Sequence, residues 1–314
     1  MAVERIASLL SAGTEILYGL GLGERVVAIS HECDWPPEVA GKPRVTSTRV
    51  AAGAASGQID RQVRALTEAG EALYEIDAER LAALSPDLIV TQAQCDVCAV
   101  RYQDVIDLVE RHESLRRTRV VALNPLSLDD IFADIVRVGE AAEVSEEATR
   151  FVAALQARVA AVVAKTKGLA ENDRPRVAAI EWIDPVMIAG NWMPELIDLA
   201  GGQSGLAAAG RHSGYTPWRL VVEYDPEVIL IMPCGFDLAR TLAEAPALTA
   251  LDGWNNLSAV QSGRVHAVDG NALFNRSGPR MVDSLELLAH LLHPPLIPAP
   301  TFDSLAPSAW RTWS

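Results

Sequence analysis

The sequence predicts two Rossmann-like α/β lobes joined by a long bridging α-helix. Three observations lead to this. The chain has 314 residues, more than one hydrophobic core usually organises, so two α/β units with separate cores are expected. In both halves short apolar runs alternate with helical stretches, the pattern of βα units around a parallel sheet. Between the halves, residues 128–167 are almost continuously helical in pattern.

The first lobe is expected over residues 1–144. RIASLL (5–10) reads as a strand and is followed by a helix near 13–21, which Thr14 is placed to cap. The GxGxG spacing of Gly19, Gly21 and Gly23 comes after that helix rather than before one, so it marks a helix stop and turn, not a phosphate loop. VVAIS (26–30), a helix near 58–69, ALYEID (72–77), a short helix over 78–84 stopped before Ser85-Pro86, DLIVTQ (87–92), a helix over about 99–112 and RVVALN (119–124) complete the parallel-sheet pattern. A break near Val144-Ser145-Glu146-Glu147 starts the bridging helix, expected over 145–170. Its Ala-rich run would extend about 30 Å at 1.5 Å per residue. The polar stretch 171–176 then opens the second lobe, 171–314, with RVAAIEWIDP (176–185), a helix near 193–200 ended by Gly201-Gly202, EVILIMP (227–233), RVHAVDG (264–270) and an amphipathic helix over 279–293. The proline-broken tail, with Trp310 and Trp313, is expected along the surface or partly loose.

Composition narrows the partners. A net charge of −14 opposes attraction to nucleic acid or an anionic membrane face, and no apolar run approaches the roughly 20 residues that span a bilayer. The N-terminal residues lack the pattern of a signal peptide. Four cysteines, Cys33, Cys95, Cys98 and Cys234, are too few for a disulfide framework, and one CxxC is not a zinc-ribbon pattern. Reduced thiols and a cytoplasmic location are expected of the chain as given, or a periplasmic or other extracytoplasmic one if its N-terminus is truncated.

In parallel α/β sheets ligands meet the loops at the carboxyl ends of strands. Those loops carry His31-Glu32-Cys33-Asp34-Trp35, the Cys95-Asp96-Val97-Cys98 turn after Gln92, Glu181-Trp182, and Pro233-Cys234-Gly235-Phe236. All four cysteines fall just past strands. Taken singly, each is more often a small buried hydrophobe. Thiolates two apart can chelate one soft ion, but further ligands would have to come from distant loops, so no metal site is expected. No helix clearly starts on Cys95, so its pKa need not be depressed for redox chemistry. Aromatic residues make up only 5% of the chain, yet Trp35, Trp182, Trp192, Trp218 and Phe274 fall in expected loops, which suggests a flat, amphipathic ligand held by apolar faces. There is no GxSxG, Walker A loop, helix-opening GxGxxG or HExxH, and no catalytic constellation emerges.

With those residues in view, the chain resembles the cobalamin-binding members of the class III substrate-binding proteins that feed ABC importers. The resemblance runs through SLLSAGTEILYGLGLGERVVAISHECDWPP, SPDLIV, GNWMPELIDLAGG, DPEVILIMPCGF and FNRSGPRMVDSLELLA. It implies non-catalytic capture of cobalamin or a related corrinoid between the lobes. The matching pocket positions are the His31–Trp35 loop, Trp182, Trp218 and Phe274. Where relatives carry tryptophans in the first lobe, this chain has Thr48 and Gln92, and the CDVC loop would supply other contacts. The family also presents one glutamate per lobe to an importer. Glu79 stands at the first position and Arg219 at the second, so weak docking to an importer is expected. Two other readings stay open: a binder of another bulky cofactor or metal chelate, such as haem or a siderophore, and a thiol- or metal-dependent enzyme.

Overall fold

The computed structural model describes residues 2–93, 97, 99–300 and 309–313. By contacts the chain divides into two units. Unit 1 holds Met1–Ala54, Gln58–Pro125 and Asp129–Ala154; unit 2 holds Ala55–Gly57, Leu126–Leu128 and Leu155–Ser314.

In unit 1 the chain runs β1 (Ile6–Ser8), α1 (Ser11–Gly19), β2 (Val26–Ile29), β3 (Thr46–Thr48), α2 (Ser56–Glu68), β4 (Tyr74–Ile76), α3 (Ala78–Leu84), β5 (Leu88–Gln92), α4 (Tyr102–Arg111), β6 (Arg119–Leu123) and α5 (Leu128–Ala141). Four strands form a parallel sheet in the order β2-β1-β5-β6. β1 and β5 are buried along their whole length, as interior strands covered on both faces require. α1 can lie close to this sheet because position 13 is glycine: a Cβ there would stand 2.9 Å from a Val90 methyl. Ala7, Leu9, Ala28, Leu81, Ile89 and Val105 pack into one cluster of this unit.

α3 has the bounds read from the sequence. The Asp77 carboxylate accepts from the Arg80 N–H at 3.0 Å, and Ser85 leaves the helix in the left-handed region (φ 43°) just before Pro86. α1 starts earlier than expected, at Ser11, so Thr14 lies inside the helix and is not its cap; its hydroxyl turns back to the Leu10 carbonyl, 3.4 Å away. ALYEID does not join the parallel sheet. β4 pairs antiparallel with β3 as a separate ribbon. Its three residues are half-exposed or exposed, so they lack the continuous apolar run that a doubly covered strand needs.

The helix α6 (Ser145–Thr166) begins in unit 1, and the division falls within it, after Ala154. The turn before it is tight: a Cβ on Gly139 would stand 2.3 Å from that of Ala148, so α5 and α6 meet where the first has no side chain.

Unit 2 continues with β7 (Val177–Trp182), β8 (Met187–Ile188), α7 (Met193–Leu199), β9 (Gly214–Tyr215), α8 (Trp218–Tyr224), β10 (Val228–Ile231), α9 (Leu238–Glu244), α10 (Pro246–Thr249), α11 (Ser258–Gln261), β11 (Val265–Val268), α12 (Met281–Leu292) and β12 (Trp310–Thr312). Its sheet has the order β12-β11-β10-β7-β8-β9, with β11, β10 and β7 parallel at the centre and the other three strands antiparallel to their neighbours. Ala178, Ile180, Ile229, Ile231 and Val265 bury one face against Val221, Leu248, Trp254 and Leu257. α7 ends at Gly201 in the left-handed region (φ 84°), the glycine stop expected there.

Arg158 of α6 holds α12 through Asp283 (2.6 Å) and both oxygens of Glu286 (2.9 and 2.7 Å). Hydrogen bonding to Glu286, more than any other influence, raises the Arg158 pKa. Asp283 is nearly buried, and removing the guanidinium would leave its charge unpaired, a change that typically costs about 3–5 kcal/mol.

The tail departs from expectation. β12 pairs antiparallel with β11, and the Trp310 ring lies 6.1 Å from His266 and 5.6 Å from His290. His266 is 7% exposed, and its Nδ1 stands 3.3 Å from the Thr312 hydroxyl. Burial, followed by the charges of Arg264 and His290, pushes its pKa down to about 4. In the unfolded chain a histidine titrates near ~6.5. The unfolded state therefore takes up the proton first, and stability is lost as pH falls from about 6.5 toward about 4. Between pH 7 and pH 5 the loss from this residue is about 2 kcal/mol. Denaturant unfolding of the wild type and of His266→Gln at both pH values should show that extra loss in the wild type alone; equal losses would mean that His266 is not the titrating group.

Candidate functional site

In unit 1 the polar side chains gather past the ends of β2 and β5. Ile29 bonds to the segment 43–45 on its return, through Ile29 N–H to the Pro43 carbonyl (2.9 Å) and Val45 N–H to the Ile29 carbonyl (3.0 Å). That return sets Arg44 and Thr46 beside His31. The Thr46 hydroxyl oxygen accepts from the His31 backbone N–H at 2.9 Å and lies 2.7 Å from its Nδ1. Arg44 donates to the Ser30 and His31 carbonyls at 3.1 and 2.7 Å. The imidazole leans on Tyr74, ring centroids 5.5 Å apart. Burial first, and the Arg44 charge second, hold the His31 pKa below its ordinary value.

The other residues expected in this loop divide. Asp34 is exposed and Trp35 half-buried. Cys33 is fully buried with its sulfur 3.0 Å from the Thr14 hydroxyl, so the expectation of a ligand-facing thiol is corrected: a small side chain fits the gap under α1. Gln92 closes β5 at 5% exposure. Cys95 and Cys98 lie outside the described residues.

In unit 2 the corresponding loops follow β7, β10 and β11. The Trp182 ring is half-exposed, donates from Nε1 to the Asp184 carbonyl at 3.1 Å and meets Phe236 edge-on at 5.3 Å. The Arg240 guanidinium sits 3.5 Å above the centroid of Phe236, a cation–π contact that fixes the ring. Glu181, next to Trp182, accepts from the Ser213 hydroxyl, which itself accepts from the Gly190 N–H at 2.9 Å. Burial, more than the Ser213 bond offsets, raises the Glu181 pKa. The close approach behind this network needs glycine, since a Cβ on Gly190 would stand 2.2 Å from the Arg211 carbonyl oxygen. Cys234 is exposed, carries no disulfide and donates its N–H to the Glu181 carbonyl at 3.1 Å.

Three aromatic expectations are revised. Trp192 is 6% and Phe274 1% exposed, and the Trp192 Nε1–H donates to the Phe274 carbonyl at 2.8 Å. Phe274 adopts φ 67° with its N–H donating to the Ser284 hydroxyl at 2.9 Å. Both rings are therefore core plugs that pin the chain before α12, not exposed ligand walls. Trp218 stacks on Trp254 at 5.9 Å, donates to the Asp252 carbonyl at 2.8 Å and packs on the sheet core, so a structural role accounts for most of its surface.

Sequence reading overlooked Thr46, Arg44 and Tyr74 around His31, because the looped return of residues 43–46 has no periodic signal. It quoted PCGF and FNRSGPR without singling out Phe236 or Arg276. Arg276 is 9% exposed and donates to the Asn271 side-chain oxygen at 2.8 Å. Its burial within a turn was the available signal only in three dimensions.

The docking candidates are both exposed. Glu79 stands in the first turn of α3, and Arg219 on α8 pairs with Glu223 at 3.3 Å. With both of those side chains mostly in water, the pair is worth under about 1 kcal/mol. Among the described residues no three His, Cys, Asp or Glu side chains gather as a metal site, and no helix is long and apolar enough to cross a membrane.

The chain is similar to the uncharacterized ABC transporter substrate-binding lipoprotein YvrC of Bacillus subtilis (strain 168), 23% identical over 296 residues that cover 93% of this chain and 80% of YvrC. Its fold is similar to the periplasmic vitamin B12 binding protein BtuF of Vibrio cholerae (TM-score 0.66, 21% identity, 92% of this chain and 96% of that one). It is also similar to a periplasmic heme binding protein from Pseudomonas aeruginosa (TM-score 0.71, 18% identity, 95% and 96%). Residues 6–272 match the family model described as periplasmic binding protein, and with most of its length matched the chain belongs to that family.

Proposed function

We propose that this protein is the non-catalytic binding component of an ABC importer, that it works outside the cytoplasm, and that its ligand is cobalamin or a related corrinoid. The observation that carries the ligand reading is Trp182, a half-exposed indole at the carboxyl end of a central parallel strand, held edge-on by Phe236 and backed by Arg240. A fixed aromatic face of this kind suits a broad, flat, partly apolar ligand. Family membership and the likeness to YvrC support the transport role. The extracytoplasmic reading replaces the cytoplasmic location expected from the sequence. A haem is the second reading, favoured by a fold likeness to a heme binding protein as strong as that to BtuF.

Titration with cyanocobalamin is expected to quench tryptophan fluorescence saturably at one site per chain. Trp182→Ala should weaken binding by about 1–3 kcal/mol, the usual range for a buried aromatic contact. Trp218→Ala should instead lower thermal stability, since it removes the stack on Trp254. Unchanged affinity in Trp182→Ala would put the ligand elsewhere, and quenching by haemin alone would favour the second reading.

Docking is the second test. An importer with basic pockets for both lobes meets a favourable charge at Glu79 and a like charge at Arg219, and like charges facing across an interface oppose association. Surface-binding measurements against a cobalamin importer in nanodiscs should show weak binding at physiological salt and a gain on Arg219→Glu. Tight binding that ignores the substitution would show that Arg219 is not at the interface.

A further inference from the structure

His31 is held in a manner its position in a loop does not require. Its Nδ1 is 2.7 Å from the Thr46 hydroxyl oxygen, which also accepts from the His31 backbone N–H. The Thr46 hydroxyl donates to the Ser30 hydroxyl at 3.1 Å, and Ser30 also accepts from the Glu32 N–H at 3.3 Å. Counting donors assigns the tautomer. With its own hydrogen turned to Ser30, Thr46 offers Nδ1 only a lone pair, so Nδ1 carries the ring hydrogen and Nε2 keeps its lone pair. The ring plane is set by Tyr74 at 5.5 Å, and the backbone on either side is clamped by Arg44. On the far side, Nε2 has the Glu32 carboxylate at 3.9 Å, outside hydrogen-bond range, and the side chain keeps 21% of its surface accessible. An imidazole with Nδ1–H donating to an oxygen, a fixed ring and an accessible Nε2 lone pair is the arrangement by which proteins prepare a histidine to ligate a metal.

No cluster of protein ligands accompanies it among the described residues. The metal that one imidazole suits is therefore one that arrives with most of its coordination filled. We propose that His31 Nε2 is an axial ligand for the metal at the centre of a bound flat tetrapyrrole chelate, selecting ligands whose metal has an exchangeable axial position. This deepens the reading above and rests on it. The step is a ligand exchange: the Nε2 lone pair forms the bond to the metal, a bound water leaves, and neither a proton nor an electron is transferred. Thr46 is a positioning residue that acts through the tautomer.

The test uses the full chain with aquocobalamin, cyanocobalamin and haemin as probes, reading tryptophan quenching for binding and the visible spectrum for coordination. Aquocobalamin should bind with the spectral shift of an imidazole-ligated cobalt, whereas cyanocobalamin, whose cobalt holds a tightly bound cyanide, should bind without one. His31→Ala should abolish the shift and weaken aquocobalamin about tenfold or more, far more than cyanocobalamin, and added imidazole should restore the shift. Thr46→Val, which keeps the shape and removes the acceptor, should reduce the shift at unchanged thermal stability. Quenching by aquocobalamin with no spectral change, or a shift that survives His31→Ala, overturns the inference and leaves the corrinoid reading intact. A His31-dependent change of the haemin spectrum without corrinoid binding supports the axial role and names haem as the source. Absence of binding by all three probes overturns the proposed function and this inference with it.

Discussion

The constraint on which the rest depends is the burial of the parallel strands on both faces. β1, β5 and β10 are buried residue by residue, and the first four residues of β7 are too. A strand so covered has no room for an unsatisfied polar side chain, because each such group would cost about 1–3 kcal/mol. Polar and ionisable residues are displaced to where the strand leaves the sheet. That is why Gln92 closes β5, Glu181 and Trp182 close β7, and His31 and Cys234 stand within three residues of the ends of β2 and β10.

The same economy divides the aromatic residues. Trp192 and Phe274 satisfy each other, indole N–H to backbone carbonyl, and disappear into the core. Trp182 satisfies its indole N–H locally, on the Asp184 carbonyl, which leaves its ring available at the surface. Where the polar edge of an indole finds its partner decides whether its face is core or contact surface. Around His31 the bonding is likewise complete on one side of the ring and open on the other, and a surface histidine without function has no need of such an arrangement.

Edge elements obey a different logic. β12 covers the edge of β11 and puts Trp310 against two histidines, while β3 and β4 pair 28 positions apart in register, Thr46 with Ile76. Strands of three residues have little apolar periodicity of their own. Their stability comes from partners distant in the chain, and no window of sequence contains both.

Local chemistry in the sequence was enough for the two α/β units, the bounds of α3, the break before α6, the glycine stop after α7 and the placement of unusual residues at strand ends. Each follows from signals within one turn or one strand: an Asp cap, a Ser-Pro stop, a glycine with positive φ, an apolar run. Tertiary structure decided which of those residues are presented and which are consumed. Cys33, Trp192 and Phe274 share loops with Asp34, Asn191 and Asn275, and only the packing of α1 and α12 above them sends the first three inward. The setting of His31 was likewise beyond local reading, because Thr46 and Tyr74 reach it through a chain return and a ribbon pairing whose hydrogen bonds join residues far apart in sequence.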